Sequence, residues 1–356
     1  MKALVIDTQA IRSNLSVVKE ETRAAEIYGV LKGDAYGTGL VEAARLLREE
    51  GVGRFAVEEA ADATALRDAG FLEEEILMLR STQRQDELHQ LMDAGSVCTI
   101  GSYEAGVALD ALAKQRSTAA EAHICIDTGL GYGGIPAGEP DKILSVFRYL
   151  SHVAISGLYT RISVKKGDRR EVSNQLDQLF FIAGRLREEG FNPGFLHASC
   201  SDPLCAYPFS QLDALQIGGP IFGHGGREGR NAGLRPVGYA TAPIDEVRWL
   251  PAGQSAGAGS RVVLKKPAKI AVIPIGTYHG FCLGPQGEGG AFSALARWRR
   301  GRKPQIRISS SRVKMLGRPG MLETVVDVTR LSCSPGEPAV FPIDPRYARG
   351  LSREYR

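Results

Sequence analysis

Short apolar runs with the character of β-strands recur along the sequence up to residue 217, and segments with helical periodicity separate them. Two of these segments, 58–69 and 172–189, place apolar residues at the spacing of an amphipathic helix. Eight strand-like runs that alternate with helices over about 200 residues are typical of a parallel (β/α)8 barrel of the TIM type. The eight runs are 27–31, 55–57, 76–79, 97–100, 123–126, 153–159, 195–198 and 214–217.

The pattern changes after Gly226, where short strand-like runs follow one another across glycine- and proline-rich turns. This spacing predicts a mostly antiparallel β domain. We therefore expect an α/β protein with a barrel at 10–228 and a β domain at 229–356, which the N-terminal strand at 1–9 joins. The strands predicted within the β domain are 239–248, 261–264, 270–275, 305–308 and 325–328.

Composition argues against several other classes of protein. Hydrophobic residues make up 43% and charged residues 24% of the chain, as in ordinary globular proteins. The formal charge of +4 gives no support to nucleic-acid binding. The six cysteines lack the spacing of a zinc site or a disulfide framework, and no apolar window has the length of a signal peptide or a membrane span. We expect a cytoplasmic protein that binds no metal, nucleic acid or membrane.

Lys32 follows the first predicted barrel strand, and Gly33, Gly37 and Gly39 break the chain into a loop behind it. The carboxyl ends of barrel strands are where ligand-binding groups lie. Burial at the rim of a core disfavours the charged form of a lysine, which makes the amine a nucleophile toward a carbonyl. The alternative is a strand-end lysine whose stem lies on the core while its amine reaches water.

Polar groups also follow the seventh and eighth predicted strands. The sequence H-A-S-C-S occupies 197–201, and Q-I-G-G occupies 216–219. A hydroxyl and backbone N–H groups exposed by glycines suit a phosphate, and barrels commonly bind phosphate at these two loops. Ordinary turn chemistry is the alternative explanation.

The stretch 28–39, Y-G-V-L-K-G-D-A-Y-G-T-G, resembles the cofactor-lysine motif of the alanine racemase family, which reads roughly A-V-V-K-A-N-A-Y-G-H-G. Members of that family are fold-type III enzymes that depend on pyridoxal 5'-phosphate (PLP). The resemblance implies that Lys32 carries PLP as a Schiff base and acts as one of two catalytic bases. It also implies that Tyr36 helps to hold the phosphate.

Further motifs extend the resemblance, in order, over nearly the whole chain. The loops after the seventh and eighth strands are similar to the family's H-A-A-N-S and R-P-G-I-x-L-Y-G, which implies contacts to PLP from His197, Ser201, Gly218 and Gly219. The closing L-S-R-E-Y-R is similar to R-V-P-R-V-Y and implies a phosphate contact from Tyr355. In the β domain, L-P-A-G-Q-S and A-V-I-P-I-G resemble family segments as well.

The second catalytic base of the family is the tyrosine of P-I-G-Y-A-D-G, contributed across a dimer interface, and here the run reads P-I-G-T-Y-H-G at 274–280. Aligned without a gap, Thr277 takes the tyrosine's place and a phenol follows at Tyr278. Since a threonine hydroxyl is too weak an acid for this role, the candidates are Tyr278 and His279, and we predict Tyr278. The resemblance also implies a head-to-tail homodimer with shared active sites.

Other departures from the family lie at positions that contact the cofactor or the substrate. Gln216 replaces the arginine that hydrogen-bonds the pyridine nitrogen of PLP, and its amide is able to donate a neutral hydrogen bond there. Arg161 replaces the histidine beside that arginine and returns a cation to the same pocket. Cys125 replaces a lysine that is carbamylated in some members. Tyr132 replaces the arginine that contacts the substrate carboxylate, at an expected cost of about 1.5–3 kcal/mol of substrate binding.

The resemblance implies a PLP-dependent racemase that interconverts L- and D-amino acids, with alanine as the leading substrate and Lys32 and Tyr278 as the two bases. A small amino acid would contact Tyr132 and Met321. Leu322 stands beside Met321 where the family has aspartate, which leaves the identity of the substrate open. Two alternatives keep PLP: a decarboxylase or other one-base enzyme of the same fold, and a PLP-binding protein without turnover.

Overall fold

The computed structural model describes residues 1–22, 26–163, 168–199, 212–224, 226–257, 262–283 and 305–356. The chain forms two compact units, one of residues 10–235 and one that combines residues 1–9 with 236–356. The sequence pattern put the boundary after residue 228. The structure divides after Arg235, because Asn14 of the first helix binds the backbone on both sides of Arg235, donating to its carbonyl at 2.9 Å and accepting from its N–H at 2.7 Å.

Residues 10–235 form a barrel of parallel strands, as the sequence predicted. The eight strands that make up its wall in the described part of the chain run in the order β4-β3-β2-β10-β9-β8-β6-β5, and the short β7 pairs with β6. A parallel bridge between Leu77 and Val97 joins β4 to β5 and completes the ring. The strands are β2 (Glu26–Val30), β3 (Arg54–Val57), β4 (Glu75–Met78), β5 (Cys98–Ile100), β6 (Ala120–Asp127), β7 (Ile135–Pro136), β8 (Val153–Arg161), β9 (Phe195–Ser199) and β10 (Ala214–Ile217).

Helices alternate with these strands. Two of them begin at side-chain caps: Ser102 Oγ accepts the N–H of Ala105, and Asp168 Oδ1 accepts the N–H of Glu171, each at 3.1 Å. In the described ranges, none of the helices combines the length and apolar character needed to cross a bilayer. The helices are α1 (Thr8–Thr22), α3 (Leu40–Glu49), α4 (Ala60–Asp68), α5 (Gln85–Asp93), α6 (Tyr103–Gln115), α7 (Pro140–Tyr149), α8 (Arg169–Glu188) and α9 (Gly226–Asn231), and the short segment α2 (Lys32–Tyr36) is a left-handed turn.

The second unit is built on a sheet whose described strands run in the order β12-β15-β18-β17-β16-β19-β11-β1-β20. Every pair is antiparallel except that of β1 with β20. Phe281 and Phe341 meet edge to face at 4.9 Å in its core. The strands are β1 (Ala3–Ile6), β11 (Gly238–Pro243), β12 (Glu246–Leu250), β13 (Ser255–Ala256), β14 (Val262–Val263), β15 (Ala268–Ile273), β16 (Ile306–Ile308), β17 (Ser311–Met315), β18 (Thr324–Asp327), β19 (Pro338–Phe341) and β20 (Ser352–Tyr355). The predicted fold class is thus confirmed.

One predicted strand of the β domain, 239–248, is wrong as a single element. The chain forms β11 up to Pro243 and then changes partner, because proline has no N–H to continue a ladder. Ile244 N–H donates to the carbonyl of Glu337, whereas Asp245 N–H donates to the carbonyl of Val272, both at 2.9 Å. The run therefore pairs first with β19 and then with β15.

Candidate active site

Lys32 lies directly beyond β2, at the end of the barrel where the carboxyl ends of the strands meet. Leu31 still belongs to the wall, since it is fully buried and its N–H donates to the carbonyl of Ala56 at 2.8 Å. The Lys32 side chain is 48% exposed, and its Nζ lies 3.8 Å from Glu58 Oε1. The predicted burial of this amine is therefore wrong: the wall ends at Leu31, and Lys32 presents an accessible amine beside a carboxylate.

The chain turns in a left-handed sense immediately after Lys32. The φ angles of residues 33–36 are +60°, +57°, +51° and +57°, a conformation that costs about 1–2 kcal/mol for each residue other than glycine. Three contacts hold the turn: Asp34 Oδ1 accepts the N–H of Leu40 at 2.8 Å, the methyl group of Ala35 is fully buried, and Thr38 Oγ1 donates to the carbonyl of Ala35 at 2.6 Å. The turn is strained but fixed from several sides.

This turn brings Tyr36 to the loop that follows β10. The ring of Tyr36 stacks on Phe222 with centroids 5.2 Å apart and lies 5.6 Å from the ring of His224. A Cβ atom added at Gly218 would lie 2.5 Å from the Tyr36 hydroxyl oxygen and 2.8 Å from the carbonyl oxygen of Val30. Only glycine allows this close approach, so a phenol and a side-chain-free stretch of backbone meet at one point of the barrel rim.

Two other predicted phosphate contacts belong to the same region of sequence. Gly219 continues the loop, and its carbonyl accepts the N–H of His224 at 2.7 Å. Ser201 and Cys200 lie outside the described residues. The contact expected from the Ser201 hydroxyl stays a prediction.

His197 is fully buried inside the barrel, between two aromatic rings. The rings of Tyr28 and Tyr159 stack on its two sides with centroids 4.9 Å away. Gln216 Nε2 lies 2.8 Å from His197 Nδ1, and His123 Nδ1 lies 2.9 Å from His197 Nε2. Because an amide nitrogen only donates, His197 Nδ1 accepts in this orientation, and Nε2 carries the hydrogen that it donates to His123. His197 thus positions Gln216.

Burial keeps both histidines neutral. It lowers the pKa of His197 well below its usual range, with the neighbouring His123 and Arg54 acting in the same direction. It also lowers the pKa of His123 to about 3, again with a smaller effect from Arg54. The row from His123 to Gln216 is therefore a chain of neutral hydrogen bonds at any pH where the protein is expected to work.

This burial predicts a loss of stability in acid. Both histidines gain a proton on unfolding below pH 6.5, so the unfolding free energy should fall as pH falls, by about 1.4 kcal/mol per pH unit for each histidine. The fall for His123 should continue to about pH 3. Urea unfolding between pH 7 and pH 5 measures it. The variant His123→Asn should show a shallower pH dependence than the wild type, whereas equal slopes would contradict the assignment. His152→Asn, at a partly exposed site, is the matched control.

The Tyr36 phenol and the backbone at Gly218 and Gly219 form what we call the cradle. Gln216 is 1% exposed and lies two residues before Gly218. Among the residues that the structure describes, its Oε1 is buried and has no hydrogen-bond partner. Its Nε2 donates one of its two hydrogens to His197, and the bond from the other hydrogen to a cofactor nitrogen stays a prediction. An accessible amine, a cradle that a Cβ would fill, and a buried amide nitrogen with a second hydrogen to donate are together suited to a phosphate-bearing aldehyde with a ring nitrogen, as PLP is.

Arg161 is the last residue of β8, and Ser199 of β9 lies between it and Gln216 in register. Its Nη2 donates to the carbonyl of Tyr132 at 3.0 Å, and its Cζ lies 5.1 Å from the centre of the Tyr132 ring. Arg161 also contacts the Cys125 thiol, whose pKa burial raises to about 11 against a lowering effect of Arg161.

In the β unit, Tyr278 and His279 lie in the 3₁₀ turn Thr277–His279. The Tyr278 side chain is 51% exposed. Both ring nitrogens of the buried His279 already have partners, Nδ1 with the N–H of Gly276 at 3.1 Å and Nε2 with Lys2 Nζ at 2.8 Å. Burial, with Lys2 as a second cause, lowers the pKa of His279. Of the two candidates for a second base, Tyr278 is the accessible one.

The remaining predicted residues also lie in the β unit. Met321 is 66% exposed, and its carbonyl accepts the N–H of Tyr278 at 2.9 Å. Tyr355 ends β20, where it pairs with Ile6 of β1. The substrate contact of Met321 and the phosphate contact of Tyr355 stay predictions.

Sequence reasoning missed several neighbours of the predicted residues. His123 lies in a predicted strand, and its period-two alternation with Cys125 is a signal that would have placed both side chains inside the barrel. Glu58 follows the second barrel strand, as a ligand group would. Phe222 and His224 lie in a loop without periodicity, and only the fold brings them to Tyr36.

Comparisons with known proteins agree with this geometry. A family model described as "Alanine racemase, N-terminal domain" matches residues 6–225. The alanine racemase of Methanococcus maripaludis is 25% identical over 332 residues, which cover 92% of this chain and 84% of the relative. That of Carboxydothermus hydrogenoformans is 28% identical over 282 residues, 78% of this chain and 75% of the relative. The solved alanine racemase of Streptomyces lavendulae has the same fold, with a TM-score of 0.84 at 20% identity, covering 100% of this chain and 97% of that one.

Proposed function

Because this chain belongs to the alanine racemase family, we propose that it is a PLP-dependent racemase that interconverts the L and D isomers of a small amino acid, alanine first. The observation that carries the proposal is the left-handed turn at 33–36. It follows the accessible amine of Lys32 and sets the Tyr36 phenol against Gly218. An amine nucleophile and a phosphate cradle joined by one rigid turn are the equipment that PLP chemistry needs.

In this proposal the barrel holds the cofactor at three points. Lys32 binds it covalently, Tyr36 and the backbone at 218–219 bind its phosphate, and Gln216 faces its ring nitrogen. His197 keeps the Gln216 amide in place. Its hydrogen bond to Gln216 and the two tyrosine rings that stack on it hold the imidazole in one orientation. When bound, PLP withdraws electrons from an attached amino acid and so acidifies its Cα–H bond.

Two side chains would move the proton at Cα. The Lys32 amine serves one face, and Glu58, 3.8 Å away, lies close enough to attract the amine when it is protonated. The Tyr278 phenol serves the opposite face. Its exposure supports this role, since a phenol that must reach a substrate has to be accessible.

We further propose that Tyr278 acts in the barrel of a second copy, within a head-to-tail homodimer. Tyr278, Met321 and Leu322 form an exposed apolar group on the β unit, held together by the hydrogen bond from Tyr278 N–H to the Met321 carbonyl. Contiguous exposed apolar side chains of this kind mark interaction surfaces. The cytoplasmic location expected from the sequence stays a prediction.

Hydrogen exchange tests the proposed function. The protein, saturated with PLP, is incubated with L-alanine and with L-serine in deuterated water, and Cα deuteration and D-isomer formation are followed by mass spectrometry and chiral chromatography. We expect both with at least one amino acid. Protein reduced with borohydride after PLP binding is the control and should be inactive. Absence of exchange with every amino acid tried would remove the proposal.

The close approach at Gly218 predicts that a single methyl group added there weakens the binding of PLP. Gly218→Ala should weaken PLP binding about tenfold or more, equivalent to about 1.4 kcal/mol, because the new Cβ would lie 2.5 Å from the Tyr36 hydroxyl. Gly219→Ala should lose less affinity, since its Cβ would find the nearest atoms at 3.5 Å. Equilibrium titration of PLP measures both. Equal affinities for the two variants would contradict the cradle.

A further inference from the structure

Arg161 carries a charge that its surroundings do not balance. Within the described residues, no carboxylate forms an ion pair with it, and its Nε is buried without a hydrogen-bond acceptor. Its neighbours are the Tyr132 carbonyl, the Tyr132 ring and the Cys125 thiol. Burial raises the pKa of Cys125 to about 11, so the thiol is neutral and offers no countercharge. A buried guanidinium N–H without an acceptor costs free energy unless an anion binds it.

The loop after β6 is built to hold this guanidinium. Asp127 Oδ1 accepts the N–H groups of three successive residues at 2.9–3.0 Å, those of Gly129, Leu130 and Gly131. This anchor fixes the course of the loop into Tyr132, whose carbonyl and ring both face Arg161. Gly133 has a φ of +72°, which favours glycine, and a Cβ atom at this position would displace the Arg161 guanidinium from its place.

Arg161 also lies at the right level of the barrel to meet a ligand. Two residues earlier on β8, Tyr159 is part of the interior core, so by strand alternation Arg161 faces the same interior at the carboxyl end. In register, Arg161 aligns with Ser199 and Ser199 with Gln216. The phosphate cradle lies on the far side of Gln216, at Gly218 of the β10 loop. Arg161 is thus a cation at the same rim, separated from the Gly218 loop by Ser199 and Gln216 in register.

We propose that Arg161 binds the α-carboxylate of the amino-acid substrate. This inference rests on the proposed function, since an amino acid is the ligand that brings a carboxylate to this rim. The planar guanidinium has donors that match a carboxylate, and the Nε–H is the free one. The Tyr132 ring covers the guanidinium from one side. Tyr132 stands where the family has a carboxylate-binding arginine, and in this proposal Arg161, at the end of β8, supplies the missing positive charge.

Paired ligands test the assignment without relying on turnover. L-alanine and L-alaninamide differ only in the carboxylate, and the absorbance of the PLP-loaded protein reports the binding of each. Arg161→Met should raise the alanine Kd about 10- to 100-fold and leave the alaninamide Kd within about twofold of wild type. Arg161→Lys should lose less affinity for alanine, because lysine keeps the charge without the planar donors. Arg187→Met, an exposed arginine of α8, is the matched control.

Each other outcome has a clear meaning. Equal weakening of alanine and alaninamide, or an unchanged alanine Kd, would overturn the assignment, as would loss of PLP affinity with the alanine preference intact. Thermal unfolding of the three variants checks their folding, and Arg161→Lys supplies the comparison if Arg161→Met does not fold. If the wild type binds both ligands but exchanges no Cα hydrogen, the racemase proposal fails while the Kd comparison still decides the role of Arg161.

Discussion

Replacing Lys32 by alanine should abolish covalent attachment of PLP and lower Cα exchange at least about 10³-fold. The amine does two jobs in the proposed function, as the group that binds the cofactor and as one of the two bases, so its loss removes both. No other lysine follows a barrel strand in the described part of the chain so directly. Borohydride reduction followed by peptide mass mapping measures the attachment, and deuterium uptake measures the exchange.

Lys114→Ala is the control for this substitution, because Lys114 is an exposed lysine at the end of α6. It should keep PLP attachment and exchange at wild-type levels. Tagging of another lysine in Lys32→Ala, with exchange retained, would show that the site lies elsewhere. Because the Lys32 side chain is already half exposed and its only ion pair in the described structure is the loose one with Glu58, we expect little change in the unfolding free energy.

Removing the Tyr278 hydroxyl should stop proton transfer on one face of the substrate Cα and leave it on the other. In Tyr278→Phe we expect interconversion of the isomers to fall about 10²- to 10⁴-fold, while Cα exchange from one isomer, served by Lys32, continues. The neighbouring His279 should not substitute, because both of its ring nitrogens are already engaged. Deuterium uptake measured separately from L- and D-alanine distinguishes the faces.

Tyr149→Phe, at an exposed position that ends α7, is the matched control and should interconvert isomers as the wild type does. Unchanged interconversion in Tyr278→Phe would remove this residue from the mechanism. A wild type that exchanges one isomer alone would favour the one-base alternative. The proposed dimer adds a further check, because an inactive Tyr278→Phe protein mixed with inactive Lys32→Ala protein should regain activity if subunits share their sites.

The barrel was predictable because its strands are local apolar runs, and local pattern is what a sequence displays. The sequence left two alternatives for Lys32, a buried amine and one that reaches water, and only the structure decides between them because the outcome depends on where the wall ends. A left-handed turn that includes Ala35 and Tyr36 has no propensity signal, because alanine and tyrosine rarely adopt positive φ. The break at Pro243 was visible in the sequence, but the exchange of strand partners behind it was not.

The candidate site was predictable where a motif is contiguous and not where partners come from distant strands. Tyr36 and Gly218 were each expected at a phosphate, and their contact follows from the barrel. The hydrogen bond between Gln216 and His197 was not predicted, because it joins side chains of two strands and is not part of one contiguous motif: His197 lies on the adjacent strand, two residues before Ser199, the register neighbour of Gln216. His123, the last member of that row, is 74 residues from His197 in sequence.

The pairing of β1 with β11 and β20 has a consequence for the order of assembly during synthesis. Residues 10–235 are contiguous, so the barrel has all its strands before the ribosome finishes the chain. β1 precedes the barrel in sequence, whereas both of its partners, β11 and β20, follow it. β1 therefore has both edges uncovered until β11 has been synthesised, and its second edge stays uncovered until β20 follows. A nascent chain halted between residues 243 and 352 should hold a barrel and a β1 strand with one unpaired edge.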